Sequence, residues 1–188
     1  MKFKLLPFLF PAIAISSCVD IPDFKDTPVI SYNGLSQFTQ IDTLDGGSTQ
    51  RVEMVVLSIR FEDGDGDLGV NPRDLQGENP VSLRYAAVSD WGLPANYEVV
   101  TMTKLSNGTW SEVIFPNDSV NFFPELKTDS KPGPIKGTLD MYIRNPVLNS
   151  YVQAERRYKV RVIDRKFNIS NQVTVPEGDF VKVPVPRE

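Results

Sequence analysis

The chain has no histidine and a single cysteine, Cys18. Without histidine, Ser-His-Asp and Cys-His catalysis are excluded, and so are histidine-ligated zinc and iron. One cysteine excludes an intrachain disulfide and a thiolate metal site. Basic clusters are missing too. In 188 residues, 20 Lys and Arg are outnumbered by 24 Asp and Glu. No nucleic-acid partner is expected, because phosphate contacts need clustered Lys and Arg. No segment keeps a long apolar stripe of helical period. Nor does any apolar run reach the ~20 residues that cross a bilayer. Such a fold must rest on its core, helped at most by an oxygen-liganded cation.

The N-terminus carries the first positive signal. Met1-Lys2-Phe3-Lys4 is short and basic, and Leu5 to Ile15 is apolar and of signal-peptide length. The run ends in Ile15-Ser16-Ser17-Cys18. An aliphatic residue and two small ones before cysteine resemble a bacterial lipobox. The resemblance implies cleavage before Cys18 and lipidation there by a diacylglycerol and an acyl chain. Residues 1–17 are then a removed signal peptide. At ~0.8 kcal/mol per buried CH2, several chains hold a soluble domain firmly on a membrane. Residues 18–28 are acidic and proline-bearing and read as the lipidated cysteine with its tether.

From Val29 onward the pattern is β. In Gln50–Phe61, Val55, Leu57, Ile59 and Phe61 form one face, opposed by Ser58, Arg60 and Glu62. Tyr97–Leu105 and Trp110–Phe115 flank Asn107-Gly108, a strong hairpin signal because both residues tolerate positive φ. Gly137–Arg144 is a further strand. Arg157–Ile163 alternates with Tyr158, Val160 and Val162 on one side, and Asn171–Val175 is placed to pair with it. Short strands with turn-rich connections predict one all-β sandwich over 29–188. Segments 69–96 and 116–136 read as long irregular loops.

The sharpest chemical motif is Glu62-Asp63-Gly64-Asp65-Gly66-Asp67, directly after the best strand. Asp63, Asp65 and Asp67 alternate with glycine. Carboxylates converging in a turn repel unless a cation sits among them, and calcium takes six to eight oxygens at about 2.3–2.6 Å. The loop is not an EF-hand: the sixth position from Asp63 is Leu68 and the twelfth is Asp74. The expectation is a structural Ca2+ loop of a β-domain, with Asp74 or Glu78 as further ligands. The bland alternative is a turn held by local side-chain–backbone hydrogen bonds.

Three pieces together, the lipobox, the FEDGDGDLG segment at 61–69 and Tyr158–Asn171 with its Asp164-Arg165-Lys166-Phe167-Asn168-Ile169-Ser170-Asn171 ending, resemble the small Ig-like outer-membrane lipoproteins of Bacteroidota. The resemblance implies an immunoglobulin-like β-sandwich, lipid-anchored in the outer membrane, facing the cell surface rather than the periplasm. It also implies a role as an accessory subunit of outer-membrane machinery, docked on a β-barrel or on other lipoproteins. Asp42-Thr43-Leu44 and Asp118-Ser119-Val120 look like the O-glycosylation triplets of that phylum, at Thr43 and Ser119. The acidic residues Asp20, Asp23 and Asp26 loosely resemble a surface-export signal. From the residues alone, Asp164 and Asn168 suit the capping of a turn.

Loop aromatics supply contact candidates: Trp91, among turn formers, and the Phe122-Phe123 pair. Trp110 and Tyr97, on hairpin strands, read as packing. The leading expectation is a non-enzymatic interaction module. A calcium-dependent glycan-binding or adhesion lipoprotein is the alternative. A carbohydrate-active enzyme is a third, since paired carboxylates meet only in three dimensions.

Overall fold

A computed structural model describes residues 22–75, 79–89, 92, 94–115, 121–127, 129 and 131–187. Cys18, Glu78, Trp91 and Ser119 lie outside the described residues. Two antiparallel sheets pack face to face. The first contains β1 (Val29–Thr43), β2 (Thr49–Asp63) and β5 (Ile135–Pro146), with β2 in the middle. The second contains β3 (Tyr97–Lys104), β4 (Trp110–Val113), β6 (Tyr151–Val162), β7 (Val173–Thr174) and β8 (Val181–Pro186). Its order is β4-β3-β6, and β7 and β8 share the far edge of β6. This is an all-β sandwich with immunoglobulin-like strand order, in which the fourth strand joins the second sheet.

The period-2 reading holds where it is strongest. On β2, Val55, Leu57, Ile59 and Phe61 are buried, while Arg60 and Glu62 face solvent. Tyr158, Val160 and Val162 of β6 meet them from the opposite sheet in one core. β7 pairs with β6 through Lys159–Thr174 and Val160–Val173. The β3–β4 hairpin turns at Ser106–Gly108, but only Gly108 there takes positive φ, at 84°. Trp110 lies against the guanidinium of Arg157 at 4.1 Å, a packing role as its strand position suggested.

Two expectations are corrected. Segment 69–96 is not wholly irregular: it contains a 3-10 turn (Pro72–Leu75) and a helix, α1 (Pro80–Val88). Pro80 opens the helix, and Asn79 caps it by accepting the Ser82 amide at 2.8 Å. Nine residues are too few to build a visible stripe, so capping and packing hold the helix. Phe123 is also not a surface aromatic. It is a core residue stacked near Tyr97, at 6.0 Å between centroids, and only its neighbour Phe122 is exposed.

Candidate metal centre

The acid loop begins where β2 ends. Asp63 continues the inward parity of Val55 to Phe61, so the pleat turns its carboxylate into the end of the sandwich. It is fully buried. The chain then folds back, and the Leu68 amide donates to Asp63 Oδ2 at 3.2 Å. This closure brings Asp63, Asp65 and Asp67 together, with one carboxylate oxygen of each within 4.8 Å of the others. Asp74 stays outside that group, exposed on the 3-10 turn.

Four segments converge on the loop. The Gly64 amide donates to Lys25 O at 2.8 Å, so the tether lies against it. The Gly133 amide donates to Asp65 O at 3.0 Å, the Leu126 amide to Leu68 O at 3.2 Å and the Val70 amide to Phe123 O at 3.2 Å. Asn96 secures this stretch from beneath: its side chain accepts the Phe123 amide and donates to Phe123 O. The Arg165 amide donates to Asp67 O at 3.3 Å.

The closing turn sits beside the acids. Asp164 accepts the Asn168 amide and side-chain nitrogen, each at 2.8 Å, so it caps the turn as its residue type suggests. Phe167 adopts φ 69° there, with its ring 4.9 Å from that of Tyr85. The Tyr85 hydroxyl donates to Asp164 O at 2.9 Å and docks α1 on the turn. Asp164 is fully buried, and its charge acts on Asp67 and Asp63. Turn capping and proximity to the loop are both realised. Asn171, two residues past Ile169, uses its amide to pair both backbone groups of Ile30, joining β1 to the second sheet.

The electrostatics are unfavourable for so many anions. Burial, then the Asp65 charge, lifts the Asp63 carboxyl to about 6. Burial, then the charges of Asp164, Asp65 and Asp63, lifts Asp67 to about 7. Burial also raises Asp164. Asp65 goes the other way: burial opposes its ionisation, but the Lys166 ammonium, with a smaller contribution from Asp67, holds the carboxyl below its ordinary value. Among the described residues, Oδ1 of Asp63, Oδ1 of Asp65 and both oxygens of Asp67 are buried without a hydrogen-bond donor. Buried carboxylate oxygens without a partner are costly, and a cation would satisfy one from each acid at once. The cluster can therefore hold a metal ion. Lys127, Lys131, Arg165 and Lys166 border it in a small cavity of about 160 Å3.

The tether contact gives a direct test. A methyl group on Gly64 would overlap Phe24 O and the Lys25 carbonyl. Gly64→Ala should free the segment around Lys25 without unfolding the sandwich. Tryptic cleavage after Lys25 should then rise at least ~5-fold, through local opening alone. Equal cleavage of variant and parent would show that the tether is not held at Gly64.

Of the other sequence candidates, Thr43 is exposed at the end of β1, and Phe122 is exposed beside the loop. The sequence reading assigned no contact to Lys166, Asn96 or Asn171, whose partners lie far away in the chain. Comparison with protein-family models, curated proteins and solved structures finds no match to this chain.

Proposed function

We propose that the chain is a lipid-anchored, non-enzymatic accessory subunit that docks on an outer-membrane β-barrel or companion lipoprotein, with calcium bound in the acid loop as a structural ion. The observation that carries the docking reading lies on the outer face of the first sheet. There Phe38, Val56 and Tyr142 share one face across three neighbouring strands, with Met54 buried between Phe38 and Arg144. Phe38 is 45% and Tyr142 59% exposed. Arg144, in the same cross-strand row as Phe38 and Met54, pairs with Asp42 of β1. Exposed aromatic side chains beside a charged pair on one sheet face suit protein docking. The acid loop supports a structural ion rather than a glycosidase pair. Three acids bring one oxygen each within 4.8 Å of one another, whereas a glycosidase places two facing carboxyl groups across the scissile bond. Oxygen-only ligation by converging carboxylates and neighbouring carbonyls is the chemistry of calcium.

The test is a pull-down from gently solubilised outer membranes, with the parent chain and Phe38→Glu/Tyr142→Glu in parallel. The parent should retain a stoichiometric barrel or lipoprotein that the double variant loses. Recovery of the same proteins with both chains, or of none with either, would overturn the docking reading. In the latter case a calcium-dependent glycan screen becomes the next measurement. Incorporation of labelled fatty acid by the parent, lost in Cys18→Ser, tests the anchor.

A further inference from the structure

Lys166 bears on the acid loop in a way that turn capping does not explain. It stands on the closing turn, about a hundred residues beyond the loop in sequence. Its side chain is 59% exposed, yet the ammonium pairs with Oδ2 of Asp65, whose side chain is only 11% exposed. Among the described residues the other oxygen of Asp65 has no donor, and Asp63 and Asp67, each more than nine-tenths buried, also present unpartnered oxygens. Asp65 is thus the one acid of the three whose charge is neutralised from within the chain. A divalent ion ligated by Asp65 would share that carboxylate with a second cation, and the two would repel.

We propose that Lys166 is a built-in competitor for the cation: it closes the loop when the ion is absent and is displaced from Asp65 when the ion binds. This rests on the calcium reading and adds its regulation. The same lysine therefore acts with opposite sign in the two states. Without the ion it offsets repulsion among the carboxylates. With the ion it opposes binding, which keeps the site weaker than its three acids alone would make it. The charges of Asp67 and of Asp26 in the tether also act on Lys166, so a displaced ammonium retains acidic neighbours.

The experiment is calorimetric titration of CaCl2 into the full chain as parent, Lys166→Gln and Lys166→Arg, with thermal melts of each in chelator. Lys166→Gln should bind calcium on the order of tenfold more tightly, because one opposing charge is gone. The same variant should melt at a lower temperature in chelator. Lys166→Arg should restore parental behaviour in both. Calcium affinity of Lys166→Gln within twofold of the parent would overturn the competition and leave the calcium reading standing. An absence of calcium binding by all three chains would overturn the calcium reading itself, and the competition with it.

Discussion

In chelator, the protein should become less stable as pH rises from 5 to 8, and calcium should flatten that slope. The folded-state values of Asp63 and Asp67, about 6 and about 7, stand above the ordinary carboxylate value of 3.8. Between those limits the folded chain binds more protons than the unfolded one, so stability falls with rising pH. The favourable contribution is complete below the unfolded value and is lost as pH climbs through 6 and 7. Asp65 and Asp42 are shifted downward, so their titration falls below this window. A bound cation requires the ionised carboxylates, so its affinity grows over the same range. At a hundred times its dissociation constant an ion adds ~2.7 kcal/mol. For a domain of this size that is a rise of roughly 5–10 °C in melting temperature. Thermal melts at pH 5, 6.5 and 8, in chelator and in calcium, make the comparison. Parallel curves would mean that no ion relieves the buried acids.

Gly69→Ala should be among the most damaging single substitutions, at ~3 kcal/mol or more. Gly69 has φ 90°, a conformation that costs an L-residue roughly 1 kcal/mol. A methyl group there would also overlap the Pro124 carbonyl oxygen and crowd Glu125. Relief requires moving the 123–126 stretch, which is tied to Val70, Leu68 and Asn96 by hydrogen bonds. Phe123 would leave the core with it. Gly46→Ala is the control. Gly46 has φ 91° but nothing within 4 Å of the added methyl, so it should cost only the backbone strain of about 1 kcal/mol. Urea unfolding of the two variants separates the terms. Equal losses would show that the loop is not pressed onto residues 68–70.

The parts of the fold that were legible are those in which local pattern and tertiary demand agree. The alternation of Val55 to Phe61 marks β2 as a strand with one buried face, and Asp63 keeps that parity and points inward. Asn107-Gly108 marks its hairpin for a local reason, the need for a left-handed residue in a tight turn. Helix α1 escapes because its stability comes from the Asn79 cap and from Tyr85 reaching Asp164, not from a periodic apolar face. Phe122 and Phe123 are identical in type and adjacent in sequence, and only the Asn96 clamp makes one of them core.

The sequence alone determined the alternating strands, the turn chemistry, and three aspartates spaced by glycines tightly enough to meet. Those properties act over a few residues, where backbone geometry and side-chain type suffice. Tertiary structure decided the rest: that Asp164 joins the acids, that Lys166 neutralises one of them, and that the tether and the 123–133 stretch close around the loop. Each of these couples groups separated by tens of residues or more. The pairing of two sheets determines which distant charges share one buried volume, and the spacing of residues along the chain carries no record of it.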